Sequence, residues 1–128
     1  MKYLLDTQLL IWLALGNSRL PTKIVELHED PESQLYFSVI SIWETAIKQA
    51  LGRTDFQVDA GLLRANLLSE GYVEILVESR HALEVRNLPP IHRDPFDRML
   101  IAQSRVDGLV LLTTDIEMSK YHGTVKKV

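Results

Sequence analysis

Four short stretches of the chain are apolar at most positions instead of alternating: residues 2–5 (KYLL), 35–39 (LYFSV), 72–76 (YVEIL) and 109–113 (LVLLT). Strands with that pattern are buried on both faces, as in a parallel sheet covered by helices on both sides. The segments between them read as helices. Residues 7–15 (TQLLIWLAL) read as a helix or as a buried continuation of the first strand, and end at Gly16-Asn17. Pro21 stands where a first helical residue would, ahead of a stripe of Ile24, Val25 and Leu27 that stops at Asp30-Pro31. Ser41-Ile42-Trp43-Glu44 matches a capping box and opens a helix that should end at Gly52. Asp59 caps a helix closed by Gly71, and a short helix is expected around 80–86. Asp94 as cap and Pro95 as first residue open a helix over 95–107 that ends at Gly108. Phe96, Met99, Leu100, Ile101, Ala102 and Val106 spread over several of its sides, so it should be deeply buried. The pattern predicts an α/β fold, a three-layer sandwich with a central parallel sheet, whose ligands sit beyond the carboxyl ends of the strands.

Composition narrows this further. At 128 residues, 46% hydrophobic and 24% charged, the chain is expected to form one domain over 1–128 with a true core. Cysteine is absent, which excludes disulfides, thiolate zinc sites and a cysteine nucleophile and fits a reducing, cytoplasmic setting. The longest apolar run, Leu9 to Leu15, is far short of the roughly 20 residues that span a bilayer, and no basic leader precedes an apolar stretch, so no membrane role or secretion is expected. A net charge of −3 shows no basic sleeve for nucleic acid, although bound divalent cations can invert the sign of a local site.

Phosphate-cradling glycine loops and a GxSxG nucleophile turn are both missing, and His28, His81, His92 and His122 show no helical pairing suited to zinc. What remains is a set of acids. Asp6 directly follows the first strand, and Asp115 follows the last behind Thr113 and Thr114. Glu44 is expected in the first turn of the helix after the second strand, and Asp97 in the first turn of the 95–107 helix. In a parallel sheet these positions share one edge. Two like charges 4 Å apart repel by about 1 kcal/mol in water and about 4 kcal/mol at an effective dielectric near 20. Four converging carboxylates therefore need a cation or take up protons. An all-oxygen ligand set suits Mg²⁺ or Mn²⁺, and the chemistry natural to such a site is phosphodiester hydrolysis.

Each acid also has a plainer reading. Asp6, Asp94 and Asp115 are good helix caps, Glu44 completes a capping box, and Asp97 suits the helix dipole. Lys48, one turn beyond Glu44, together with Arg93 and Arg98, reads as a surface ion-pair partner or a phosphate contact. Trp12 and Trp43 read as core or interface anchors, and the tail from His122 to Val128 as solvated.

Lys2-Tyr3-Leu4-Leu5-Asp6-Thr7, Ser38-Val39-Ile40-Ser41-Ile42-Trp43-Glu44, His92-Arg93-Asp94-Pro95-Phe96-Asp97-Arg98 running on to Gln103, and Leu111-Leu112-Thr113-Thr114-Asp115 occur in that order along nearly the whole chain. Together they resemble the PIN-domain ribonucleases, above all the VapC-type toxins of toxin–antitoxin pairs. The resemblance implies a Rossmann-like sheet and a metal-dependent endoribonuclease that cuts RNA. It assigns Asp6, Glu44 and Asp97 to the three core acids, Asp115 to a more variable fourth, and Thr114 to the hydroxyl that supports that end of the site. Of the two acids in the Asp94-to-Asp97 motif, Asp97 aligns with the helix that continues it. A homodimer and a cognate antitoxin that blocks the site are also implied. Beside the nuclease stand two other classes: a binding or scaffolding module of the same fold, and a phospho-receiver module. The latter wants a second acid after the first strand, where this chain has Thr7.

Overall fold

The computed structural model describes residues 1–128. Strand β1 (Lys2–Leu5) leads into helix α1 (Thr7–Leu15) and then α2 (Thr22–Glu29). Strand β2 (Gln34–Ser38) runs straight into α3 (Val39–Ala50), followed by α4 (Ala60–Ser69), β3 (Val73–Ile75) and α5 (Ser79–Glu84). A single 3-10 turn at Val85–Asn87 leads through a loop to α6 (Pro95–Asp107), β4 (Val110–Thr113), the one-turn α7 (Ile116–Ser119) and β5 (Val125–Lys127). The sheet has five strands in the order β3-β2-β1-β4-β5, and every pair is parallel.

The expected sandwich is what forms. Leu4 pairs with Leu111 and Leu5 with Leu112 across the β1–β4 ladder, and all four are buried. Leu5 and Leu112 face one core with α1, α2 and α4, where Leu9, Leu10, Ile24, Leu63 and Phe37 pack. Leu4 and Leu111 face the other core with α6 and α7, around Leu100, Ile101, Met118 and Tyr121. Successive residues of one strand therefore serve opposite layers, so these strands are apolar at consecutive positions. Truncating one of these leucines to alanine costs about 2–5 kcal/mol. No helix is long and apolar enough to cross a membrane.

Three expectations change. Helix α3 starts three residues earlier than the capping-box reading. Ser38, at the very end of β2, supplies the cap by accepting from the Ile40 N–H at 3.0 Å, so strand passes to helix without a loop. Ser41 lies inside the helix and accepts a hydrogen bond from the Thr7 hydroxyl at 2.9 Å. Glu44 is consequently in the second turn, not the first. The tail is not merely solvated: Val125–Lys127 adds an edge strand to β4, with its lysines on the exposed border as protection against further pairing. Of the two readings of Trp43, core or interface anchor, the first falls away: it is 57% exposed and meets Phe96 edge-on at 5.1 Å.

The strand order reverses between β1 and β4, because the chain winds one way from β1 to β2 and β3 and the other way to β4 and β5. The crevice outside the carboxyl ends of two such strands is where open α/β sheets take ligands. Asp6 and Asp115 follow these two strands.

Candidate active site

All four acids singled out in the sequence line one open cleft of about 290 Å³ at that switch point. Asp6, Glu44, Asp97 and Asp115 share it with Thr7, Gln8, Ile11, Lys48, Thr114 and Met118.

Asp6 is buried and doubly anchored. Its Oδ1 accepts from the Leu9 N–H at 2.9 Å and so caps α1, while its Oδ2 accepts from the Thr113 hydroxyl at 2.5 Å. Capping and membership of the acid cluster are thus both true of this residue. Thr113, the last residue of β4, also accepts from the Asp115 N–H at 2.9 Å, so one hydroxyl ties the two strand ends together. This support comes from Thr113, where the family resemblance pointed to Thr114; Thr114 lines the cleft. Asp115 caps α7, its Oδ1 accepting from the Glu117 and Met118 N–H groups, which leaves Oδ2 as the oxygen available to the cleft.

Asp97 is the third residue of α6. Its N–H donates to the capping Asp94 Oδ1 at 3.2 Å. Its Oδ2 lies 2.7 Å from His92 Nε2, a partner that the sequence reading missed. One ligand-type atom from each of His92, Asp94 and Asp97 falls within 4.8 Å of the others. The signal was present in the His92-x-Asp94-x-x-Asp97 spacing, but a search for helical histidine pairs cannot find it. The histidine sits on the loop before the helix and reaches its acid only because that loop folds back. Two contacts hold the loop: the His92 N–H donates to the Tyr121 hydroxyl at 2.8 Å, and Arg98 donates to the carbonyls of Val85, Pro89 and His92 and to Tyr121. Arg98 is therefore a clamp on backbone oxygens, not the surface ion-pair partner expected of it. Arg93 is exposed on the same loop.

Glu44 reaches the cleft from the second turn of α3. Its Oε2 is 3.3 Å from Lys48 Nζ, and its Oε1 is buried without any hydrogen-bond partner. A buried carboxylate oxygen without a donor is costly and uncommon.

The electrostatics follow from this crowding. Burial, above all, pushes the Asp6 carboxyl up from 3.8 to about 6. Asp97 and Asp115 add to the rise, while the bonds from Thr113 and Leu9 oppose it. Asp97 likewise rises to about 6 through burial, with Asp94 and Glu44 contributing and His92 opposing. Two acids that hold protons near pH 6, beside an unsatisfied third, form a site with a deficit of positive charge. An oxygen-only donor set with an orphaned oxygen fits a hard divalent cation.

The fold is shared with solved complexes at low sequence identity. The VapBC2 complex of Rickettsia felis bound to a DNA fragment from its promoter contains a chain that aligns with a TM-score of 0.74 at 12% identity, covering 99% of this chain and 98% of that one. A toxin–antitoxin complex from Klebsiella pneumoniae aligns with a TM-score of 0.64 at 18% identity, over 97% and 95% of the two chains. VapBC-1 from nontypeable Haemophilus influenzae gives 0.64 at 20% identity, over 100% and 97%. Among curated proteins, none matches this chain. Residues 3–123 match the PIN domain, a span that runs from within β1 past α7 and holds all four acids of the cleft, and the chain belongs to the PIN domain family.

Proposed function

We propose that residues 1–128 act as a single PIN domain that hydrolyses RNA phosphodiester bonds with Mg²⁺ or Mn²⁺, as the toxin of a toxin–antitoxin pair. One observation carries the reading: four carboxylates from distant parts of the chain line a single cleft, with one buried oxygen unpartnered. Asp6, Glu44, Asp97 and Asp115 would hold the cation. When bound, it would supply Lewis-acid polarisation of a phosphoryl oxygen and a more acidic water.

The chain's own residues set up that chemistry. Asp6 and Asp115 are fixed by caps and by the shared Thr113 hydroxyl, so their carboxylates are oriented before any ligand arrives. His92 holds the Asp97 carboxylate at the mouth of α6. The toxin role is supported by the likeness to chains of VapBC and other toxin–antitoxin complexes. The family resemblance further implies a cognate antitoxin that blocks the cleft and pairing as a homodimer.

The test is RNA cleavage by the purified chain with Mn²⁺, with EDTA, and by Asp6→Asn. Cleavage that needs the metal and the acid supports the reading; equal cleavage in all three arms overturns it. Co-expression with the product of an adjacent reading frame, followed by gel filtration, tests the antitoxin: a stable complex without nuclease activity is expected.

A further inference from the structure

Lys48 is the only basic residue lining the acid cleft. It also forms part of the wall of a second, adjoining groove of about 290 Å³, lined by Leu51, Arg53, Asp55 and Phe56. Its Nζ lies 3.3 Å from Glu44 Oε2 and 5.8 Å from the centroid of the Phe56 ring, and its side chain is 45% exposed. An ion pair one helical turn apart whose ammonium end is half in water, although its carboxylate is mostly buried, holds that ammonium only loosely. Glu44 has, besides, a buried oxygen that Lys48 leaves unpartnered. A divalent cation is therefore the stronger partner for Glu44, and the ammonium group is the one released. Arg53 lies farther out, lines only the second groove and is engaged in a two-point pair with Asp55, Nε at 3.0 Å and its terminal nitrogen at 2.7 Å, so Lys48 is the cation at the junction.

A polyanion approaching four carboxylates needs a cation at the rim. On the nuclease reading above, we propose that Lys48 anchors a phosphate of the RNA strand once a divalent cation has taken over Glu44, and that the groove beyond it seats the neighbouring nucleotide. Phe56, partly buried against the core and facing the Lys48 ammonium, lines that groove as an apolar wall for a base. The strand path thus crosses the junction of the two cavities at Lys48.

The test uses Lys48→Met, Lys48→Arg and Leu51→Glu. Leu51 is 65% exposed on the groove wall, so its replacement adds a negative charge without disturbing the core. Binding of a fluorescent single-stranded RNA is read by stopped-flow polarisation in Mn²⁺, before turnover, on chains that keep all four acids of the cleft. Mn²⁺ binding without RNA is read by calorimetry on the same chains. Lys48→Met is expected to weaken RNA binding about tenfold, the worth of one charge-assisted contact. It should also make the dependence of log affinity on log salt shallower by about 0.7, one phosphate on a single strand. The same substitution should bind Mn²⁺ up to about threefold more tightly, since a competitor for Glu44 is gone. Lys48→Arg should stay close to its parent, and Leu51→Glu should weaken RNA binding while leaving Mn²⁺ binding unchanged. A merely structural lysine would not move two ligands in opposite directions. If Lys48→Met keeps its RNA affinity and salt slope in a chain whose parent cleaves RNA, the anchor is overturned and the nuclease stands. If Mn²⁺ binding weakens in Lys48→Met, the hand-over from Glu44 is overturned whatever RNA does. A parent chain that neither binds nor cleaves RNA overturns both readings.

Discussion

Helix α6 carries a histidine–aspartate pair at each end, and the two pairs behave differently. At its carboxyl end, His81 is 1% exposed. Its Nδ1 accepts from the Glu78 N–H, so the proton is on Nε2, 3.1 Å from both Asp107 oxygens. Arg80 bridges Asp107 and Glu78. Every charge there has an opposite within reach, which a carboxylate at a helix carboxyl end needs, because the dipole disfavours it. At the amino end the dipole favours Asp97, yet its carboxyl is raised to about 6 by burial and by Asp94 and Glu44. His92 is a single base facing several acids. The same residue pair is thus a fastener where its surroundings balance it and part of a candidate ligand site where they do not.

The sharpest way to break that contrast is activity. Asp97→Asn or Asp6→Asn should lower RNA cleavage at least about a hundredfold in single-turnover assays, as loss of a preorganised electrostatic group does. His81→Ala should leave the rate per folded molecule unchanged. Stability should show the reverse. His81→Ala removes a buried, fully bonded group and should cost about 2–4 kcal/mol in urea melts. A smaller loss than that from a His92→Ala chain would contradict the assignment of roles. Mn²⁺ at a hundred times its dissociation constant should stabilise the wild type by about 2.7 kcal/mol, and Glu44→Gln should lose most of that gain.

A finer test uses pH without metal. Raising the Asp6 carboxyl from 3.8 to about 6 costs the ionised folded state on the order of 3 kcal/mol. Asn in its place avoids that cost, but one amide oxygen must serve both the Leu9 N–H and the Thr113 hydroxyl. Asp6→Asn should therefore be more stable than wild type by about 1–2 kcal/mol at pH 7–8 in EDTA. Folded Asp6 binds its proton more tightly than unfolded Asp6. The wild type therefore recovers stability as pH falls through 6, and the advantage of the variant is gone below about pH 4. An advantage that grows on acidification would contradict the burial of that charge. The smallest effect, up to about 1 kcal/mol, is expected from Arg80→Ala, whose own side chain is exposed but whose guanidinium is the cation that balances Asp107.

The layers were legible because strands buried on both faces leave a continuous apolar record, and the α6 caps because Asp94, Pro95 and Gly108 each have a local reason to stand where they do. The start of α3 was not. Val39 looks like a strand residue and Ser41 like a cap, and only the turn of the backbone at Ser38 decides between two serines three residues apart. Strand β5 is short and mostly polar, so no periodicity reveals it. The acids could be grouped because position after a parallel strand is a topological fact. His92 could not, since its approach to Asp97 depends on contacts from the far end of the sequence.

That dependence makes Tyr121 more than filler for a core. Its ring is wholly enclosed, and its hydroxyl is the fixed point on which the loop of His92 hangs. A Tyr121→Phe chain would keep the core ring, the last strand and every acid of the cleft and still lose the post that sets one of them in place, so it should fail through slackness in the cleft, not through a missing group.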